Sequence, residues 1–105
     1  MIRFYECPEN GNGRVFRVSE NGVEKGEGVL EPRGERIYIR LKADAQTRDF
    51  LFRSLLNVCR DLKDKICVLE TPLTKEYIEP FGFKAGKGGY IVKTEGIVLG
   101  GSCKK

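Results

Sequence analysis

The stretch 36–83 constrains the fold more than any other part of the chain. Residues 36–43 alternate apolar and polar side chains, as in a strand with one buried face. Residues 50–62 place apolar side chains at spacings of three and four, which predicts an amphipathic helix that packs on a core. The continuous apolar run 66–69 predicts a buried strand that lies parallel to the first. This order predicts a right-handed βαβ unit.

Polar residues mark the two ends of the long helix. Either Asp44 or Thr47 is placed to cap the N-terminus with a side-chain oxygen. Lys63 and Lys65 suit the last turn, where the helix dipole favours cations. We therefore expect the helix to extend as far as these lysines.

A short second helix is predicted after the buried strand. It begins at Thr71 or Thr74 and runs through residues 77–79. Pro80 and Gly82 end it, because proline does not continue a helix and glycine accepts the left-handed backbone of a helix end.

Strands and turns fill the rest of the chain. Residues 14–19 and 25–31 predict two strands joined by an Asn-Gly turn, and the glycines of the second strand indicate a bulge. A turn at 32–34 leads into strand 36–43, which completes an antiparallel meander. Near the other end, residues 90–93 and 97–99 predict a last hairpin, preceded by a flexible glycine-rich turn.

Size, charge and hydropathy favour one small domain, residues 1–105. The 19 basic and 15 acidic residues give a net charge of +4, which is not the concentrated positive charge of a nucleic-acid-binding surface. No apolar run reaches the roughly 20 residues that span a membrane, and the N-terminus has no signal-peptide core. We expect a cytoplasmic protein that does not bind membranes.

Cysteine spacing and the lack of histidine limit the chemistry. The four cysteines form no C-x-x-C pair, so we expect free thiols and no metal site. Cys59 and Cys67 lie in apolar patterns and are predicted to pack as small hydrophobic side chains. The sequence leaves open whether Cys7 approaches Cys103, and it places no base beside Cys103 that would activate it as a nucleophile.

The predicted elements run β-β-β-α-β-α-β-β, and the segment 77–83, Tyr-Ile-Glu-Pro-Phe-Gly-Phe, precedes Tyr-Ile-Val at 90–92. This arrangement resembles the GNAT superfamily of N-acetyltransferases. The resemblance implies an α/β (α+β) fold with a mixed antiparallel and parallel sheet, similar to the acyl-CoA N-acyltransferases. It also implies a truncated and divergent member, in which the first strand and two N-terminal helices are largely missing.

The resemblance implies a site for acetyl-CoA or CoA between the two parallel strands and at the N-terminus of the long helix. The GNAT coenzyme motif is R-x-x-G-x-G, whose glycines let backbone N–H groups approach the pyrophosphate. Arg48 matches the leading arginine, whereas Leu51 and Arg53 stand in place of small residues and are expected to crowd the pyrophosphate. The candidate coenzyme-binding residues are Leu41, Ala43, Arg48, Asp49, Phe50, Leu51, Phe52 and Arg53.

The catalytic residues stay unassigned. Many GNAT enzymes carry a tyrosine four residues before the glycine of Gly-Phe, as an acid for the departing thiolate, and Ile78 holds that position here. Tyr77 is one residue earlier, and a helical step of about 100° turns it to another face. Glu70, at the end of the second parallel strand, is a candidate general base and equally a solvated strand-end carboxylate.

Three functions compete on the sequence alone. The first is a non-catalytic GNAT-like module that contacts a partner protein, or a second copy of itself, through the edges of its sheet. The alternative is a minimal acetyl-CoA-dependent N-acetyltransferase. The third is a weak nucleic-acid-associated module in which Lys84, Lys87, Tyr90 and Lys93 contact phosphates and bases.

Overall fold

The computed structural model describes residues 1–8 and 13–99. The strands and helices, in chain order, are β1 (Ile2–Cys7), β2 (Arg14–Glu20), β3 (Val23–Arg33), β4 (Arg36–Ala43), α1 (Ala45–Arg60), β5 (Ile66–Leu69), α2 (Lys75–Ile78), β6 (Lys84–Gly86) and β7 (Gly89–Lys93). Two single 3₁₀ turns, Glu79–Phe81 and Thr94–Gly96, follow α2 and β7.

The strands form one mixed sheet in the order β1-β2-β3-β4-β5-β7-β6. Neighbouring strands are antiparallel except β4 and β5, which are parallel and place Ile37 opposite Cys67. Helix α1 connects these two strands, so the predicted βαβ unit is confirmed. Alternate residues of β2, β4 and β5 are buried against α1 because the side chains of a strand point to opposite faces.

Glycines of β3 bring the helix close to the sheet. A Cβ atom at Gly28 would stand 2.6 Å from Leu55 Cδ1, and one at Gly26 would stand 3.3 Å from Leu51 Cδ2. The predicted bulge in β3 is confirmed beside Gly26, because Val18 pairs with Gly26 whereas Ser19 pairs with Glu24, which leaves Lys25 of β3 as the extra residue. Both glycines also face the helix and leave room for its leucines.

Helix α1 begins as predicted and ends earlier than predicted. Asp44 is its N-cap, and the helix stops at Arg60 with Asp61 as its C-cap. The chain then takes a left-handed backbone at Asp64, where φ is +60°. Lys63 and Lys65 lie beyond the helix because the chain has already turned towards β5.

The chain termini differ from prediction in two ways. Strand β1 was not predicted, and it pairs with β2 and stacks Phe4 on Phe16 at 5.3 Å. The predicted last hairpin is wrong, because β7 pairs with β6 across Lys87-Gly88. Segment 97–99 forms no strand, and its Ile97 is buried in the core instead.

The turn between β3 and β4 and the turn after α2 each contain a glycine with a positive φ. The turn between β3 and β4 lies at Gly34 and Glu35, so Pro32 belongs to the end of β3 and not to the turn. After α2, Gly82 has a φ of +106°, and a Cβ there would lie 2.5 Å from the carbonyl oxygen of Gly96. Glycine is required at this position, as the sequence predicts.

Aromatic side chains join α1 to α2. The ring of Phe52 lies 5.3 Å from Phe81, 5.7 Å from Tyr77 and 5.9 Å from Phe83. Both helices therefore pack on the same face of the sheet. In the described part of the chain, no helix is long and apolar enough to span a membrane.

Candidate functional site

A cleft lies where β4 and β5 end and α1 begins. Ligands of open α/β sheets bind beyond the carboxyl ends of parallel strands, so this is the expected position for a site. A cavity of about 210 Å³ occupies it. Its lining residues are Ala45, Arg48, Asp49, Pro72, Leu73, Thr74 and Tyr77.

The Asp44 side chain caps the N-terminus of α1. The Thr47 N–H donates to Asp44 Oδ1 at 2.8 Å, and the Arg48 N–H donates to the Asp44 carbonyl oxygen at 2.9 Å. The hydrogen bonds from Thr47 hold the pKa of Asp44 below its usual value, so the residue is ionised near neutral pH. These donors and this negative charge do not fit a coenzyme pyrophosphate at the helix terminus.

A threonine side chain bridges the two parallel strands where they end. Thr71 Oγ1 accepts from the Leu41 N–H at 2.9 Å and donates to the Leu41 carbonyl oxygen at 3.3 Å. One residue earlier, the Glu70 N–H donates to the Ile39 carbonyl oxygen at 2.9 Å. The Ile39 carbonyl oxygen and both main-chain groups of Leu41 are therefore already paired within the chain.

An ion-pair network ties the same strands together on the opposite side of the sheet. Arg40 Nη1 lies 2.8 Å from Glu70 Oε1 and 3.0 Å from Glu31 Oε1. The hydrogen bonds that Arg40 donates to Glu70 and Glu31 raise the pKa of Arg40, which stays charged. Glu70, the candidate general base, is thus engaged as the partner of an arginine.

Tyr77 and Asp49 link α2 to the first turns of α1. The Tyr77 hydroxyl donates to Asp49 Oδ1, and Asp49 Oδ2 accepts from Arg53 Nε at 3.0 Å. Burial, together with the hydrogen bond to Asp49, raises the pKa of Tyr77. The phenol therefore stays protonated well beyond neutral pH and holds the wall of the cavity in place.

The predicted coenzyme-binding residues differ in how exposed they are. Leu41, Leu51 and Phe52 are buried in the core, Ala43 is half-buried, and Arg48, Asp49, Phe50 and Arg53 are exposed. Arg48 and Asp49 line the cavity. Leu51 is fully buried and packs towards Gly26, so it does not crowd the cavity as the sequence suggested.

The sequence did not identify Thr71 as part of the cleft. In the sequence, Thr71 stands two residues after a buried parallel strand. A threonine at that position also fits the start of α2, so the sequence did not distinguish the two roles. The structure instead begins α2 after Thr74, whose side chain makes no cap hydrogen bond.

The other candidate groups lie apart from the cleft. Cys59 and Cys67 are buried, as predicted, and the hydrogen bond between their thiols, together with burial, raises the pKa of Cys59. Cys7, Cys59 and Cys67 are free thiols, and Cys103 lies outside the described residues. Among residues 1–8 and 13–99, no three histidine, cysteine, aspartate or glutamate side chains are grouped as metal ligands.

The basic hairpin does not present an aromatic surface alongside its lysines. Lys84, Lys87 and Lys93 are exposed, but Tyr90 packs against the core. The residue opposite Tyr90 on the neighbouring strand β5 is Leu69, whose side chain also belongs to the core.

A comparison with solved structures gives a structural relative of this chain. The fold is similar to the crystal structure of the ribosomal-protein-S18-alanine N-acetyltransferase from Escherichia coli, with a TM-score of 0.68 and 9% sequence identity. The match covers 87% of this chain and 89% of that chain. The sequence matches no protein-family profile and no curated protein. The chain therefore has a GNAT-like fold.

Proposed function

We propose that the chain is a divergent, non-catalytic relative of the GNAT acetyltransferases that works by contacting other macromolecules. The observation that supports this most is the Thr71 bridge to Leu41, which occupies the place between the parallel strands where the GNAT resemblance puts the coenzyme. Asp44 adds a fixed negative charge where the pyrophosphate would lie.

The energetics of the cleft oppose a coenzyme. A ligand between β4 and β5 would have to replace both Thr71 hydrogen bonds, each worth about 1 kcal/mol. Its phosphates would also approach the negative charge of Asp44, and like charges repel, although solvent screens this exposed carboxylate. We propose a cytoplasmic location, where Cys7, Cys59 and Cys67 stay reduced.

A minimal acetyl-CoA-dependent acyltransferase is the second candidate. Arg48 and the protonated hydroxyl of Tyr77 border the same cavity, as an anion-binding group and an acid would in such an enzyme. This candidate requires that Thr71 release Leu41 when the coenzyme arrives. It predicts acetyl-CoA turnover that Tyr77→Phe abolishes.

Calorimetric titration with acetyl-CoA and with free CoA tests the proposal. We expect no binding heat at ligand concentrations of about 1 mM, with the E. coli acetyltransferase as the positive control. Micromolar binding by the natural sequence would contradict the non-catalytic proposal.

A double variant tests why we expect the natural sequence not to bind CoA. Thr71→Ala with Asp44→Asn removes the strand bridge and the negative charge, and we expect it to bind CoA more tightly than the natural sequence. Thr71→Ala with Asp61→Asn is the matched control, because Asp61 carries the same charge at the other end of α1. Equal binding by the two variants would mean that Asp44 does not exclude the coenzyme.

A further inference from the structure

Within residues 1–8 and 13–99, strand β1 is an edge of the sheet that no other strand covers. The sheet ends at β1 on one side and at β6 on the other. Strand β6 has three residues and carries exposed lysines at its start and in its turn, which discourages pairing with another strand. Strand β1 has six residues with neither lysine nor proline, and its Ile2 and Tyr5 are 50% and 36% exposed. Its charged side chains are Arg3 and Glu6, so the β1 edge is longer than the β6 edge and less protected against pairing.

The hydrogen-bond pattern shows which residues of β1 offer main-chain groups to a partner. The Asn21 N–H donates to the Met1 carbonyl oxygen at 3.2 Å, so Met1 and Asn21 form a hydrogen-bonded pair of the β1–β2 ladder. Such pairs alternate along antiparallel strands, so the odd-numbered residues of β1 bond to β2. The residues whose N–H and C=O groups point outward are Ile2, Phe4 and Glu6.

We propose that a second copy of this chain pairs antiparallel with β1 about a two-fold axis at Phe4. In this register Phe4 lies opposite Phe4 of the second copy, and Ile2 lies opposite Glu6 of the second copy. All outward main-chain groups then pair, which gives about six hydrogen bonds. A shift by two residues in either direction leaves about four. The symmetric register is the one that satisfies the edge completely.

Two of the side-chain pairings in this register are favourable, whereas the pairing of Ile2 with Glu6 adds no attraction. Arg3 lies opposite Tyr5 of the second copy on the sheet face away from α1. Within one copy, the Arg3 guanidinium already lies 5.6 Å from the centre of the Tyr5 ring, so the second ring completes a ladder of cation–π contacts. On the other face, the two Phe4 rings extend the stack that Phe4 makes with Phe16.

The dimer is independent of the cleft. Strand β1 lies three strands away from β4, where the cleft begins. Coenzyme binding and dimerisation therefore succeed or fail separately, and a protein that binds CoA can still pair through β1.

Sedimentation velocity on the natural sequence, from about 10 μM to about 1 mM, measures the association. We expect the dimer fraction to rise with concentration. A protein that stays monomeric over the whole range overturns the proposal.

Substitutions at Tyr5 test the register. Tyr5→Lys places lysine opposite Arg3 of the second copy, and we expect at least a tenfold weaker dimer. Tyr5→Glu places a carboxylate opposite the same arginine, and we expect a dimer as stable as that of the natural sequence. Val23→Lys is the matched control, because Val23 is 57% exposed, lies off β1 and gains the same charge. Circular dichroism confirms that each variant is folded.

The contrary result is equally clear. If Tyr5→Lys dimerises as well as Val23→Lys, the interface does not involve β1.

Amide hydrogen exchange gives a second readout that needs no substitution. We expect the Phe4 and Glu6 amides to gain protection as protein concentration rises, whereas the Arg3 and Tyr5 amides are protected throughout. Protection of Phe4 and Glu6 that does not depend on concentration would mean that the chain covers its own edge.

Discussion

Single side chains occupy main-chain groups at the cleft of this protein. Thr71 bonds to both main-chain groups of Leu41, and the Asp44 side chain accepts from the Thr47 N–H in the first turn of α1. Each of these residues occupies, from within the chain, polar groups that would otherwise be offered to a ligand. The presence of a GNAT-like fold therefore does not by itself imply a coenzyme site.

Thr71→Val tests the strength of the strand bridge. Valine has the same shape but no hydroxyl, so the partly buried N–H and C=O of Leu41 lose their partner. We expect the free energy of unfolding to fall by about 1–3 kcal/mol. Urea denaturation measures this change. Thr74→Val is the matched control, because the exposed Thr74 makes no cap hydrogen bond, and we expect a change within about 0.5 kcal/mol.

Tyr77→Phe tests the contact between α2 and α1 through its pH dependence. The pKa of Tyr77 is raised in the folded protein, so the stability it contributes is fully present below the unfolded value of about 10. That contribution is lost as the pH rises through the folded pKa. We expect the stability of the natural sequence to fall more steeply than that of Tyr77→Phe above about pH 10. Parallel urea-midpoint curves would show that Tyr77 is not coupled to folding.

At this scale the sequence predicts caps better than contacts. Local spacing narrowed the cap of α1 to Asp44 or Thr47, because a cap bonds to residues that are near in sequence, and the structure has Asp44 there. The bridge from Thr71 to Leu41 joins residues far apart in the chain, and it depends on the register of two parallel strands. Local patterns do not encode that register.

The elements are held together by the close approach of α1 to β3. Gly26 and Gly28 face the helix, and the side chains of Leu51 and Leu55 fill the space above them. The same leucines are fully buried, so Leu51 packs in the core and does not face the cavity.

Gly28→Ala tests that packing. The added methyl would lie 2.6 Å from Leu55 Cδ1 and 3.0 Å from Cδ2, so helix or side chain must move. We expect a loss of about 1–3 kcal/mol of stability from overpacking. Gly96→Ala is the control, because its methyl would meet only Val92 at an ordinary 3.7 Å. Equal stability of the two variants in urea would mean that the helix is not in close contact with β3.

The sequence predicts the central elements and misses those at the ends. Strand β4, helix α1 and strand β5 follow from strong periodicity. Strand β1 was missed because Ile2–Cys7 alternates weakly and is half exposed. The last hairpin was misplaced because the apolar run at 97–99 reads as a strand, although Ile97 serves the core without pairing.

At the scale of the whole molecule, the sheet has two different faces. Both helices pack on one face, where the core lies. The opposite face carries ion pairs such as Arg17 with Glu27 and Arg40 with Glu31 and Glu70.

The sequence predicted the GNAT-like fold because its helix and strand order is local information. The function was not predictable in the same way, because it depends on whether the cleft between distant segments is open.

Nuclear magnetic resonance titration of the ¹⁵N-labelled protein with CoA tests the closed cleft most directly. The amides of Leu41 and Thr71 and the first-turn amide of Thr47 report on the two positions that a coenzyme would occupy. We expect no change in their chemical shifts up to about 1 mM CoA. A saturable shift of all three amides would contradict the closed cleft and favour the acyltransferase.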